Sequence, residues 1–215
     1  MSKHDEIRQL FSCFETEDFS CPQKKRGWCH VRENEEASFP PFLGDENTDV
    51  MVVAQSPSTS KGVGHHAIQL FSEVTASKGS RIDKLRDFIK EHYNTVPHFT
   101  DLAKCGVVGR DEATLSERID ICTERFLFDE MDILKPKTVI CVGNRSQEFF
   151  KKLRKDQFHG LPDQLVFLTH YSNQAQLPLS IDDKYDIVWK WQAGFLKDIS
   201  RELPKLSYFS ESLPD

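Results

Sequence analysis

Leu134-Lys-Pro-Lys-Thr-Val-Ile-Cys-Val-Gly143-Asn144 decides the fold. Thr138 to Val142 is a short apolar run with no polar alternation, the pattern of a strand buried on both faces. Gly143 ends it, and Asn144 is placed to cap a following helix. Outward from this block the pattern repeats. Asp49-Val-Met-Val-Val-Ala54 is a second buried strand, followed by the turn Gln55-Ser-Pro-Ser-Thr-Ser-Lys-Gly62. His98 to Ala103 reads as a weaker strand and Leu165 to Thr169 as a confident one. Between them, Ile82, Leu85, Phe88 and Ile89 share one helical face, and Leu115, Ile119, Cys122 and Phe126 share another. Val188, Trp191, Phe195 and Ile199 mark a C-terminal helix. Apolar strands alternating with amphipathic helices predict a three-layer α/β/α sandwich around a mostly parallel sheet.

In such sheets, binding sites gather in the loops beyond the carboxyl ends of the strands. Here those loops are 55–64, 101–106, 143–145 and 170–176. Residues 1–48 read as an irregular N-terminal extension packed on the domain formed by 49–215, with Pro40 and Pro41 barring regular helix. The 215 residues suit one well-packed domain. No stretch approaches the roughly 20 apolar residues that span a bilayer, so no membrane partner is expected. Met1-Ser-Lys-His-Asp-Glu lacks the apolar core of a signal peptide, and a cytoplasmic, monomeric protein is the expectation. The net charge of −6 argues against a strong nonspecific grip on nucleic acid, while leaving room for a local basic face. One basic cluster, Lys151-Lys-Leu-Arg-Lys155, falls well inside a helix and reads as a solvated helix end.

Six cysteines in a chain without an export signal point to metal ligands or buried thiols before disulfides. Cys105 and Cys122 have sixteen residues between them; Cys13, Cys21 and Cys29 are evenly spaced by eight. The fold can unite two such groups in a four-thiolate site for an iron–sulfur cluster or zinc. Unrelated buried thiols explain the spacing equally well, and Cys141, inside a strand, reads as core.

Taken in order, the loops resemble the motifs of the uracil-DNA glycosylase superfamily, in its iron–sulfur branch. Val53-Ala-Gln-Ser-Pro57 is similar to the first motif, a strand followed by Gly-x-x-Pro. Phe99-Thr-Asp-Leu-Ala-Lys-Cys105 resembles Thr-Asn-x-x-Lys-Cys. The 134–143 block matches "Leu-x-Pro-Lys, strand, Gly". Thr169-His-Tyr-Ser-Asn173 stands at the His-Pro-Ser motif.

The resemblance implies a DNA base-excision glycosylase acting on a flipped-out base. A catalytically inactive, cluster-bearing module that binds DNA or a nucleotide is the alternative. It implies a 4Fe–4S cluster, or zinc, on Cys21, Cys29, Cys105 and Cys122, with Cys13 as the other choice for the fourth ligand. It makes His170 the donor to the base oxygen and Asp101 the second catalytic group. Gln55, Ser56, His65, Phe99, Asp101, Ser172 and Asn173 are the expected base-binding residues. Three positions depart from the family pattern. Ala54 replaces Gly, the 55–58 turn offers an amide and hydroxyls but no acid, and Asp101 replaces Asn. An amide presents a donor and an acceptor to uracil, whereas an ionised carboxylate presents acceptors only. Asp101 therefore either favours a base with an exocyclic amine or positions the water; as a structural residue it caps a turn or pairs with Lys104. His170 has a structural reading too, as a strand-end cap of a loop carbonyl, and His65 and His66 are either a stacking platform or an exposed loop pair.

Overall fold

A computed structural model describes residues 1–12, 41–57, 68–73, 81–104, 112–156, 159–170 and 184–197. Four strands, β1 (Val50–Ala54), β2 (His98–Asp101), β3 (Thr138–Val142) and β4 (Gln164–Leu168), form one all-parallel sheet in the order β2-β1-β3-β4. Every residue of β1 and β3 is buried, which explains why both runs lack polar alternation. Side chains alternate between two cores. Met51, Val53, Val139 and Cys141 face one; Val50, Val52, Ala54, Ile140 and Val142 face the other.

The helices divide along the same line. Helix α2 (Arg81–Tyr93) and helix α6 (Lys184–Gln192) cover the second core through Leu85, Phe88, Ile89 and Trp189. Helices α3 (Glu112–Cys122), α4 (Phe128–Leu134) and α5 (Asn144–Lys155) cover the first, through Leu115, Ile119, Met131, Leu134 and Phe150. This division follows from strand order. The chain leaves β1 in one direction to make β2, then crosses back over β1 to make β3. With a constant crossover hand, reversing direction moves the connecting helix to the opposite face. The result is a three-layer α/β/α sandwich.

Three local expectations need correction. The segment read as wholly irregular contains α1 (Lys3–Phe11), opened by a capping box in which Ser2 Oγ accepts from the Asp5 N–H and the Asp5 carboxylate accepts from the Ser2 N–H. Ile7 and Phe11 carry α1 into the first core, and Lys3 Nζ donates to the Leu134 carbonyl at the open end of α4, 2.7 Å away. Asn144 does not cap α5. Gly143, with φ of 84°, occupies the cap, and Asn144 is the first helical residue. The buried face of α6 is Val188 and Trp189 rather than Val188, Trp191 and Phe195, because the helix ends at Gln192 and leaves Phe195 47% exposed in the turn beyond. Ile199 lies outside the described residues. Between α3 and α4, Thr123–Leu127 forms a π-helical turn, in which Thr123 Oγ1 donates to the Ile119 and Asp120 carbonyls.

Candidate functional site

Because the four strands are parallel, their carboxyl ends share one edge of the sheet. The chain reverses direction between β1 and β3, the place where sheets of this kind carry a binding crevice. Four sequence motifs arrive at that edge: Gln55-Ser-Pro57 after β1, Asp101 at the end of β2, Gly143 after β3 and His170 beyond β4. Hydrogen bonds tie the first two together past the strands. The Leu102 N–H donates to the Ala54 carbonyl at 2.9 Å, and the Ala103 N–H donates to the Gln55 carbonyl at 3.0 Å. On the other side of β1, Ser146 Oγ in the first turn of α5 donates to the Val53 carbonyl at 2.7 Å, fixing the helix start beside the crevice. The methyl of Ala54 is packed in the second core.

Asp101 ends one outer strand, and His170 follows two residues past the end of the other. Three interstrand steps at 4.7–4.9 Å separate those two strands by about 14 Å. Asp101 and His170 cannot touch, but a nucleoside between them can reach both. Asp101 is half-buried, and desolvation pushes its carboxyl up to about 7; the Lys104 ammonium opposes this rise and Glu130 adds to it. Near neutral pH the group therefore exchanges between carboxylate and carboxylic acid. The acid form has one donor and one acceptor, as a primary amide does.

Behind Asp101 lies a buried ionic cluster. Lys104 is 1% exposed and pairs with Glu130 of α4, which is fully buried; it also donates to Thr100 Oγ1. His98 Nε2 meets Glu130 Oε2 at 3.3 Å. Burial pushes the His98 imidazole down, against the pull of Glu130, so the ring is neutral and its Nε2–H donates. Burial raises Glu130 as well, but Lys104 and the His98 hydrogen bond outweigh it and hold the carboxyl below its ordinary range. The ion-pair partner of Lys104 is thus Glu130 rather than Asp101, which corrects the expected Asp101–Lys104 pair. The sequence pointed to neither Glu130 nor His98. Glu130 stands 26 residues from Lys104, in a helix where an acid ordinarily faces water, and only the packing of α4 under β2 joins them.

At the other end, His170 is held below its ordinary pKa by burial. Gly143 faces it so closely that a Cβ at that position would lie 3.1 Å from His170 Cδ2. The positive φ of Gly143 favours glycine for a second reason. Gln55 and Ser56 are half-buried at the mouth of the crevice. Phe99, expected against the base, is instead 3% exposed, its ring in the second core 5.3 Å from that of Phe71 and 6.4 Å from that of Phe42. Its position in the middle of β2 turns it toward α2, away from the carboxyl edge. His65, Ser172 and Asn173, and the cysteines Cys13, Cys21, Cys29 and Cys105, lie outside the described residues. Cys122 is buried in the last turn of α3, and Cys141 is in the core, its thiol pushed up by burial. The 151–155 basic cluster ends α5, which runs back from the carboxyl edge, and so lies away from the crevice.

Among the described residues, no helix is long and apolar enough to cross a membrane. Comparison with curated proteins finds no match. Comparison with protein families finds one, the Uracil DNA glycosylase superfamily, over residues 41–192, a span that holds all four strands and both ends of the crevice. With the parallel sheet, the crevice at its carboxyl edge and more than half of its length matched, the chain belongs to the uracil DNA glycosylase superfamily.

Proposed function

We propose that this chain is a DNA base-excision glycosylase that hydrolyses the N-glycosidic bond to a flipped-out base. The observation that carries this reading is the placement of Asp101 and His170 at one carboxyl edge, following outer strands that lie about 14 Å apart by strand spacing. A nucleotide extruded from DNA would lie between them. Water adds to the sugar carbon as the carbon–nitrogen bond breaks. The bonding pair leaves with the base, and the water loses a proton to solvent. His170, neutral because it is buried, would donate to the base oxygen on which charge collects, without first having to give up a net charge. Asp101 would read the base edge, and its protonated form supplies the donor–acceptor pair that uracil requires. Gln55 and Ser56 would contact the base or sugar. DNA is the partner, and a monomer suffices, since both ends of the crevice come from one chain.

The reading extends to a 4Fe–4S cluster, with zinc as the other group of fitting donor chemistry. Cys29, Cys105 and Cys122, with Cys21 or in its place Cys13, are the proposed thiolates. One feature of the described residues favours convergence of these segments. The ring of Phe11, two residues before Cys13, stacks on Phe126, one helical turn from Cys122, with centroids 5.0 Å apart. Lys104 Nζ, from the residue before Cys105, lies 5.6 Å from the same ring. When bound, the group would hold these segments together and take no part in bond breaking. Purified protein should then be brown, and Cys122→Ser should lose colour and stability while Cys141→Ser keeps the colour. A colourless protein with one zinc per chain would replace the cluster with zinc.

A second reading, a non-cleaving DNA- or nucleotide-binding module, draws on the acid-free Gln55-Ser-Pro57 turn. One experiment separates the two. Purified protein is incubated with oligonucleotides carrying each common or deaminated base, and alkali-labile abasic sites are measured. Cleavage at any base supports the enzyme. Binding without cleavage at every base leaves the module.

A further inference from the structure

His170 follows a residue whose polar groups are all engaged from one helix. Thr169 lies just past β4. Its N–H donates to Gln192 Oε1 at 2.8 Å, and its hydroxyl oxygen accepts from Gln192 Nε2 at 2.8 Å. Its carbonyl accepts from Trp189 Nε1 at 3.0 Å. The preceding carbonyl, of Leu168, accepts from the Gly143 N–H at 2.9 Å and from Gln147 Nε2 at 3.0 Å. Gln192 and Trp189 are three residues apart on α6 and so share a face. A primary amide carries a donor and an acceptor on one planar group, which suits a backbone N–H and a hydroxyl presented side by side. Trp189 is itself fixed, 1% exposed and 5.7 Å from Phe88 of α2 between ring centroids. Gln192 is therefore the last residue of a helix anchored in the second core.

We infer that Gln192, together with Trp189, clamps Thr169 and thereby sets where the His170 imidazole stands; Gln192 is a positioning residue for His170. The imidazole is then fixed from two sides, by the clamp on the residue before it and by the side-chain-free backbone of Gly143 at the end of the neighbouring strand. No contact of Gln192 with substrate is needed. The positional claim stands on these hydrogen bonds alone, whereas its catalytic consequence rests on the glycosylase reading.

The test uses the full chain and two readouts. The first is the NMR titration of the His170 imidazole, assigned by its loss in His170→Ala. The clamp groups are neutral, so a change in this titration reports a change in burial. The second is single-turnover excision, set beside the dissociation constant for a duplex with an abasic-site analogue. Gln192→Leu keeps the bulk and removes both hydrogen bonds. It should move the His170 titration upward, toward that of an ordinary histidine, and slow excision about tenfold, the scale of a small misplacement of a reacting group. Binding of the abasic duplex should change less than about twofold, because phosphate contacts dominate it. Gln192→Glu, whose carboxylate can accept from both the Thr169 N–H and O–H, should restore most of the rate. Thr169→Val removes the hydroxyl alone and should give a smaller change in the same direction, and it decides the matter if Gln192→Leu does not fold. A His170 titration unchanged in whichever of these two variants folds overturns the inference. A shifted titration in a protein that excises no base supports the clamp while removing the glycosylase reading.

Discussion

At the β2 end of the crevice, Asp101 stands beside an ionic cluster of Lys104, Glu130 and His98, sealed from water. At the β4 end, His170 stands beside an amide, an indole and a hydroxyl, all neutral. The two ends hold their functional groups by different physics. Buried charge makes the first end sensitive to any unpaired partner and to pH, because a charge in low dielectric has a large desolvation cost. Neutral hydrogen bonds make the second sensitive to geometry, each bond contributing only about 1 kcal/mol.

The largest expected effect is at the charged end. Glu130→Ala leaves the Lys104 ammonium buried without its partner and should destabilise the chain by about 3–5 kcal/mol in denaturant unfolding. Glu130→Leu combined with Lys104→Met removes both charges and should cost much less. If the single and double variants lose equal stability, the cluster does not behave as a coupled pair and the two ends are not held by different physics.

At the neutral end, His170→Ala should lower excision by about 10²–10³, the usual cost of an oxyanion donor. Binding of an abasic-site duplex should change far less. Excision at the wild-type rate would move the chemistry away from β4.

The smallest effect sharpens the contrast. Asp101 keeps its proton to about 7 in the fold, against an ordinary value of 3.8. Its contribution to stability is therefore fully present below pH 3.8 and is lost as pH rises through about 7. Asp101→Asn should remove that loss, leaving the variant about 1–2 kcal/mol more stable than the parent at pH 8 after allowance for partial exposure, and little changed at pH 4. Base preference should follow the same proton. The parent should favour uracil below pH 7 and bases with an exocyclic amine above it, whereas Asp101→Asn should favour uracil by about tenfold at every pH. Equal loss on all bases, without a change in preference, would assign Asp101 to the water instead.

The strands were legible because their cause is local. Runs of five apolar residues at 50–54 and four at 139–142 have no other economical place than a sheet covered on both faces. The two ends of the crevice could also be found, since a parallel sheet sends its loops to one edge. What escaped was whatever depended on distant pairing. Glu130 looks like a surface acid, and Gln192 like an ordinary polar helix end, until partners 26 and 23 residues away are brought against them. Helix α1 is a different case: Ser2 and Asp5 spelled its capping box, but the charged stretch around them masked the spacing of Ile7 and Phe11. Phe99 was misplaced because motif order assigns a residue to a loop region without saying which face of the strand its side chain takes.

Strand order also sets the timetable of synthesis. Of the four strands of this sheet β1 is the first to leave the ribosome, yet it occupies an interior position, hydrogen-bonded on one side to β2 and on the other to β3. Its second flank has no partner until residue 142 has been made. Until then Val50-Met-Val-Val-Ala54, an uncharged stretch of high strand propensity, presents an open edge that another nascent chain can pair with. Yield of correctly folded protein should accordingly depend on how quickly the stretch from β2 to β3 is translated, and on chaperone capacity during that interval, more than on the stability of the finished sheet.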